Sequence, residues 1–199
     1  MTITQAIQER RSIRKYTDQA IDRATIEKIL NCAILAPSAK NRQPWKYIAC
    51  TGSTRERILK AMNEGIKREI KGDMRIPEFR NGLADAKNTA KIMEQSPVLI
   101  VILNTQDSSP FLPEEPKDRI TEICNTLSIG ASVENLILAA TEEGLGTLWI
   151  ANTCFAYEEL ARELKTDSQI AGIVALGCAA ENPPPRPRKP FEELVEFRD

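Results

Sequence analysis

A cluster of cationic and hydroxyl side chains lies near the start of the chain. The stretch from Arg10 to Tyr16 reads Arg-Arg-Ser-Ile-Arg-Lys-Tyr and carries four cations in seven residues. Side chains alternate between two faces in extended backbone, so Arg10, Ser12 and Arg14 would share one face. This face suits a phosphate, because arginine donates in a planar fork and serine adds a short neutral donor. The alternative is a solvated basic turn, the commoner role of a run of charges.

A second cationic cluster lies near the end of the chain, where residues 183–190 read Pro-Pro-Pro-Arg-Pro-Arg-Lys-Pro. The prolines hold Arg186, Arg188 and Lys189 in a semi-rigid backbone. Considered alone, the segment is typical of a proline-rich tail. Considered with Arg10 and Arg14, it predicts two cationic segments that converge on one anion.

The overall charge limits what that anion can be. The net charge is −1 and the pI is about 5.8, whereas partners such as nucleic acid or an anionic membrane favour a basic balance. We therefore expect a small anion, with no nucleic-acid or membrane partner. The sequence shows no apolar run of about 18–20 residues and no signal-peptide pattern at its start, so we expect a cytoplasmic location.

The chain contains no histidine. This excludes Ser-His-Asp and Cys-His catalysis and the usual zinc ligand sets, and we expect no metal site. The five cysteines include no Cys-x-x-Cys pair and are predicted to be reduced structural thiols. Any chemistry must therefore depend on a cofactor or on charged side chains.

Two further motifs have polar or glycine-rich character. Residues 36–45 read Ala-Pro-Ser-Ala-Lys-Asn-Arg-Gln-Pro-Trp, a loop whose two prolines fix its path and whose polar side chains could face a ligand. The same residue types are also ordinary in structural turns. Gly144-Leu-Gly146 lacks the third glycine of a dinucleotide fingerprint and follows a helix instead of preceding one, so we reject a Rossmann site.

Hydrophobic periodicity and capping residues predict the elements that position these motifs. We expect helices over about residues 3–10, 22–36, 53–70, 83–94, 118–143 and 157–164, and strands over about residues 46–51, 98–103, 146–152 and 170–178. Residues 71–82 are predicted to form a loop or mobile lid. This alternation indicates α/β or α+β architecture in one domain spanning 1–199. The 118–143 helix is apolar around much of its circumference, which predicts burial on most sides, either in the core or between core and subunit interface.

Four motifs in this order make the chain resemble the nitroreductase family of FMN-dependent oxidoreductases. They are the motifs at 10–16 and 36–45, Glu-Gly-Leu-Gly-Thr-Leu-Trp-Ile at 143–150, and Pro-Pro-Arg-Pro-Arg-Lys-Pro at 184–190. The resemblance implies an α+β nitroreductase-like fold, with a central mostly antiparallel sheet flanked by helices and a long helix at a homodimer interface. It also implies FMN as cofactor at that interface and NAD(P)H as co-substrate.

The implied reaction follows a ping-pong course, with hydride passing to flavin N5 and then to an electron-poor acceptor such as a nitroaromatic, quinone or enone. The alternatives are a non-enzymatic flavin-binding or redox-sensing protein, a basic-arm nucleic-acid binder, and a specialised relative such as a reductive dehalogenase or flavin-fragmenting enzyme. The physiological acceptor, the choice between NADH and NADPH, and the subfamily stay open.

The resemblance also assigns roles to residues. Arg10, Ser12, Arg186 and Arg188 would hold the FMN phosphate with Arg11 nearby, and Arg14 would lie beside flavin N1 and O2. The loop residues that would reach FMN from the partner subunit are Pro37, Ser38, Ala39, Asn41 and Gln43. Ile150, Ala151 and Asn152 would form the turn that faces N5 and O4. No side chain is implied as catalytic, and either Asn81 or Asn88 would supply a polar contact from the middle of the chain.

Overall fold

The fold is built on a four-stranded sheet. The computed structural model describes residues 1–74, 77–113 and 115–198. The strands are β1 (Trp45–Cys50), β2 (Val98–Asn104), β3 (Gly146–Ile150) and β4 (Gln169–Gly177). They are ordered β1-β2-β4-β3, and every neighbouring pair is antiparallel. The predicted α+β class with a mostly antiparallel sheet is confirmed.

Helices flank the sheet close to the predicted positions. They are α1 (Ile3–Glu9), α2 (Arg23–Ile34), α3 (Gly52–Ile70), α4 (Leu83–Gln95), α5 (Pro116–Glu142), α6 (Tyr157–Leu164) and the short α7 (Phe191–Leu194). Asp22 begins α2 by accepting a 2.8 Å hydrogen bond from the Thr25 N–H, as its residue type predicts. Gly144, with a φ of +73°, follows the end of α5, where glycine adopts left-handed backbone without strain.

The sheet separates two hydrophobic cores. Leu99, Val101 and Leu103 of β2 pack with α3, α4 and α6 on one face. Ile100 and Ile102 of the same strand pack with α2 and α5 on the other face. All seven residues of β2 are buried, as expected of an uninterrupted apolar strand covered on both faces.

The predicted loop or lid over 71–82 is only partly described. Residues 75 and 76 lie outside the described residues. Pro77–Gly82 forms a 3₁₀ turn that leads directly into α4. Two other short 3₁₀ turns, Ala39–Asn41 and Asn152–Ala156, follow α2 and β3.

Helix α5 is buried along only part of its surface in the single chain. Ile120, Ile123 and Leu127 are 65, 49 and 70% exposed, whereas the polar Asn125 and Ser132 are fully buried. The Ser132 hydroxyl is satisfied by the Ala33 carbonyl at 2.7 Å, which explains how a polar side chain is buried here. Burial of α5 on most sides would therefore require the subunit interface, which stays a prediction.

Helix α5 is also long and apolar enough, by length and composition, to cross a membrane. Core helices pass the same test, and α5 packs Val133 and Leu136 into the core beside α2. This is weak support for a membrane role.

Candidate functional site

The basic segment at 10–16 is fixed to the sheet by its backbone. The Ile13 N–H donates to the Thr147 carbonyl at 2.9 Å, and the Ala180 N–H donates to the Lys15 carbonyl at 2.9 Å. The side chains of Ile13 and Tyr16 are buried in the core. Because these two side chains point inward, the cations between and before them are held at the surface in a defined position.

A glycine in β3 allows this close approach. A Cβ at Gly146 would lie 2.8 Å from Ile13 Cγ1, which is too close for any larger residue without movement. Burial, with the Glu181 carboxylate nearby, raises the pKa of Tyr16 well above its ordinary value. The neutral phenol donates to the Ile13 carbonyl at 2.9 Å, which further fixes the segment.

The two cationic clusters converge on one cavity of about 270 Å³, here called the anion cavity. Its lining residues are Ile7, Gln8, Arg10, Arg11, Ser12, Arg14, Pro183, Pro184, Pro185, Arg186 and Arg188. It thus presents five guanidinium groups and one hydroxyl, and the described lining contains no carboxylate. Arg11 lines the same cavity as Arg10 and Ser12, so strict alternation of the two faces does not hold here.

Most of these arginines are held by carbonyl groups, which leaves their charge free for an anion. The Arg11 guanidinium donates to the Gln8 and Arg10 carbonyls at 2.7 and 2.8 Å. The Arg188 guanidinium donates to the Arg186 carbonyl at 3.2 Å. Within the described residues, only Arg10 has an ion pair, to Glu134 at 3.8 Å. Such an arrangement suits a phosphate, which accepts charge-assisted hydrogen bonds from several donors.

A second cavity, also of about 270 Å³, adjoins the first and is here called the edge cavity. Its lining residues are Arg14, Asp85, Asn88, Thr89, Ile92, Leu148, Trp149, Ile150, Ala151 and Asn152. Arg14 lines both cavities, so the two are neighbours. The edge cavity follows β3, an outer strand whose described pairing on this side is the bridge from Ser12 to Thr147. The next residues of an edge strand present backbone donors and acceptors to a ligand.

A small hydrogen-bond network closes one side of the edge cavity. The Asn152 amide donates to the Thr89 hydroxyl at 3.0 Å and to Asp85 Oδ2 at 3.2 Å. Its own Oδ1 is buried and accepts no hydrogen bond from the described residues. An unsatisfied buried acceptor costs about 1–3 kcal/mol, so it requires an explanation such as a missing ligand or water.

The loop at 36–45 has an unusual backbone. Lys40, Asn41 and Gln43 have φ values of +54, +53 and +47°, a region that costs non-glycine residues about 1–3 kcal/mol each and is enriched at functional sites. Hydrogen bonds from the Ala39 N–H to Ser128 Oγ, at 3.1 Å, and from the Gln43 N–H to Ser38 Oγ, at 3.0 Å, hold it. The five predicted loop residues, Pro37, Ser38, Ala39, Asn41 and Gln43, lie outside both cavities of the same chain.

The model of the Nitroreductase family matches residues 7–178. The chain belongs to this family. It is 33% identical over 145 residues to a candidate NADH dehydrogenase/NAD(P)H nitroreductase of Archaeoglobus fulgidus, a match that covers 72% of this chain and 64% of that relative.

Solved structures agree with this assignment. A BluB-like flavoprotein from Clostridium difficile 630 superposes with a TM-score of 0.82 at 25% identity over the full length of both chains. A candidate nitroreductase from Desulfovibrio desulfuricans, solved in complex with FMN, has a TM-score of 0.73 at 23% identity, covering 100% of this chain and 98% of the other. This second likeness supports the fold alone.

The two cavities of this nitroreductase-family chain fit FMN chemically. One end presents arginines to a phosphate, and the other presents the β3 edge and polar groups to a ring that carries both donors and acceptors. Ligand cavities are commonly about 300–1,000 Å³, and the two adjoining cavities together fall in this range. The unpartnered Asn152 Oδ1 beside the second cavity is a further sign of an incomplete polar site.

Asn81 and Asn88, the two asparagines that the sequence left as alternatives, lie in different places. Asn88 lines the edge cavity, whereas Asn81 lies in the preceding 3₁₀ turn and does not. The sequence interpretation missed Asp85, Thr89 and Trp149, although a signal was present. Residues 85, 88, 89 and 92 are spaced i, i+3, i+4, i+7, so they share one face of a helix. A helix face with three polar members beside a buried isoleucine could have indicated a binding site.

Proposed function

We propose that this nitroreductase-family chain is an FMN-dependent NAD(P)H oxidoreductase that acts on a small electron-poor acceptor by a ping-pong mechanism. Nitroaromatics, quinones and enones are the acceptor classes that we consider. The observation that carries this proposal is the pair of adjoining cavities that share Arg14, one lined by arginines and the other running along the β3 edge. The whole chain, 1–199, would form one FMN-binding domain.

The anion cavity would hold the phosphate of FMN. Arg10, Ser12, Arg186 and Arg188 supply donors from both ends of the chain, and Arg11 adds a fifth donor group close by. Charge-assisted hydrogen bonds of this kind are worth about 1.5–3 kcal/mol each. The arginines would therefore determine how firmly the cofactor is retained.

The edge cavity would hold the flavin ring, and when bound FMN would accept a hydride from NAD(P)H at N5 and deliver it to the acceptor. Arg14 would lie at the pyrimidine edge, where its charge favours electron transfer to the ring. The backbone of Ile150 and Ala151, with Asn152, would face N5 and O4, and Asn88 would add a polar contact from α4. These groups would orient the ring.

We further propose a homodimer in which the 36–45 loop of one subunit completes the site of the other. The loop packs against α5 through the hydrogen bond from Ala39 to Ser128. On the same helix, Ile120, Ile123 and Leu127 are exposed in the single chain. A strained loop beside an exposed apolar helix face supports an interface at this place.

The proposed function is tested by loading the purified protein with FMN, removing unbound flavin and adding NADH or NADPH without oxygen. We expect a yellow protein that is bleached by at least one of the two nucleotides. A nitroaromatic, quinone or enone should then reoxidise the bleached protein. A protein that retains no FMN would refute the proposal. A yellow protein that neither nucleotide bleaches would support flavin binding or redox sensing instead, and chromatographic loss of intact flavin would support a flavin-fragmenting relative.

A further inference from the structure

Two charged side chains line the described part of the edge cavity, and they have opposite signs. Arg14 lies at the end shared with the anion cavity, and Asp85 projects from the first turn of α4. The other lining residues are neutral. Whatever ligand occupies this cavity therefore experiences both a cation and an anion.

The carboxylate of Asp85 has no cationic partner within the described structure. Its one hydrogen bond there is the 3.2 Å contact that Oδ2 accepts from the Asn152 amide. Its position near the start of α4 also favours an anion, because the first turn of a helix carries partial positive charge. Oδ1 accepts no hydrogen bond from the described residues.

We propose that Asp85 is a redox-tuning residue that opposes Arg14 and makes FMN in the edge cavity harder to reduce. This inference rests on the proposed function, because it requires the flavin ring to lie in this cavity. Transfer of a hydride brings two electrons and one proton to the ring, which thereby gains one negative charge. Arg14 stabilises that added charge, whereas the carboxylate of Asp85 destabilises it.

Asp85 is exposed in the described structure, and a ligand bound in the edge cavity would strengthen the effect of its charge. A bound ring excludes water from the cavity, and Coulomb interactions strengthen as the effective dielectric constant falls. The hydrogen bond from Asn152 also holds the carboxylate on the cavity side, and Asn152 is fixed in turn by Thr89. One hydrogen bond therefore holds the carboxylate beside the cavity.

The experiment measures the midpoint potential of bound flavin by anaerobic titration, with FMN in saturating excess over the protein and free flavin subtracted. Asp85→Asn removes the charge with little change of shape. We expect a positive shift that corresponds to an approximately tenfold gain in the reduction equilibrium, or about 30 mV for a two-electron couple. Asp85→Glu keeps the charge and should stay close to the wild-type potential.

Glu94→Gln is the matched control. It removes a carboxylate from the same helix, nine residues further on, where Glu94 accepts a hydrogen bond from Asn63 at 3.3 Å and does not line the cavity. At about 1.5 Å per residue it lies about 13 Å along the helix from Asp85. We expect its potential to equal that of the wild type.

The possible outcomes separate this inference from the proposed function. If Asp85→Asn retains FMN but its potential is unchanged or lower, the inference is wrong and the proposed function stands. If Asp85→Asn and Asp85→Glu both lose FMN even at saturation, Asp85 is needed for binding and the tuning role is refuted. If the wild type itself binds no FMN, both proposals fail.

Discussion

At the scale of single residues, Arg14 has the most informative position in the site. Its side chain lines both cavities, and its guanidinium donates to the Ser12 carbonyl at 3.1 Å. Its backbone N–H donates to the Glu181 carboxylate at 2.5 Å. The carboxylate thus fixes the backbone of Arg14. The guanidinium of Arg14 has no ion pair within the described residues. Of the five arginines that line the anion cavity, Arg14 also lines the edge cavity, which is why we propose a separate role for it.

Replacing Arg14 with glutamine should lower the midpoint potential of bound FMN. The variant keeps hydrogen-bonding capacity and loses the charge, so we expect a shift of tens of millivolts, slower reduction by NAD(P)H and largely retained FMN. About 30 mV corresponds to 1.4 kcal/mol for a two-electron couple. Anaerobic redox titration checks this. An unchanged potential at full flavin occupancy would mean that Arg14 does not contact the ring.

Replacing Arg10 or Arg188 with alanine should instead weaken the retention of FMN. Each variant removes charge-assisted hydrogen bonding of about 1.5–3 kcal/mol, which corresponds to at least a tenfold weaker affinity. Flavin occupancy after dialysis measures the loss. Arg23→Ala is a suitable control, because Arg23 pairs with Glu27 on the exposed surface of α2 and lies outside the cavity. Wild-type occupancy in both cavity variants would contradict the assignment.

At the scale of elements, α3 and α6 are joined by two ion pairs of very different burial. Arg68 donates to Glu159 at 2.9 Å between side chains that are mostly buried, whereas Arg57 pairs with Glu163 at 2.7 Å at the exposed surface. Burial raises the pKa of Glu159, but the hydrogen bonds and the positive charge of Arg68 outweigh it. The carboxyl pKa therefore lies below its ordinary value of 4.5.

Replacing Arg68 with methionine should destabilise the protein by about 3 kcal/mol at neutral pH. The change leaves the buried carboxylates of Glu159 and Glu69 without this cation, and breaking a buried pair in this way costs about 3–5 kcal/mol. Arg57→Met, which breaks the exposed pair between the same helices, should cost less than about 1 kcal/mol. Denaturant unfolding measures both, and equal effects would mean that the Arg68 pair is no stronger than a surface pair.

The difference in unfolding free energy between Arg68→Met and the wild type should also depend on pH. The depressed pKa of Glu159 contributes stability above the unfolded-state value near 4.5 and loses it as the pH falls through the lower folded-state value. The gap in unfolding free energy should therefore narrow as the pH falls below about 4.5. A constant gap across this range would contradict the assigned cause.

The elements were largely predictable because their ends carry local signals. Asp22, Pro37 and Gly144 determine helix ends by capping and backbone geometry, which need no tertiary contact. The burial of α5 was not predictable in this way, since apolar content does not say which side faces a partner. The site was only partly predictable. The motifs near both termini indicated the anion cavity, but placing Asp85 against Asn152 required the packing of α4 on the end of β3.

At the scale of the whole molecule, several exposed apolar side chains lie on the neighbouring helices α1, α2 and α5. Ile120, Ile123 and Leu127 lie along α5, and Ile3 and Leu35 border a cavity of about 350 Å³ between α1, α2 and α5. Exposed apolar surface of this kind commonly marks an interface. A two-fold dimer would cover it with the same surface of a second copy.

We expect a homodimer that persists at low micromolar concentration and that Leu127→Glu converts to monomer, because the substitution places a charge in the proposed interface. Ile70→Glu, at an exposed apolar position at the end of α3, should leave the dimer intact. Sedimentation velocity on FMN-loaded protein distinguishes the two. A wild type that sediments as a flavin-loaded, active monomer would refute the dimer.

The strand order has a consequence for how the protein is made. β4 is the last of the described strands in chain order, yet it lies between β2 and β3 in the sheet. During synthesis, the growing chain therefore exposes the unpaired edge of β2 until residue 177 has left the ribosome, and a free apolar edge invites aggregation. The anion cavity is completed later still, because Arg188 follows β4 in the chain and must come to lie beside Arg10. A nascent chain that stops before this segment should be unable to take up FMN, so the cofactor would enter only after residue 188 has left the ribosome.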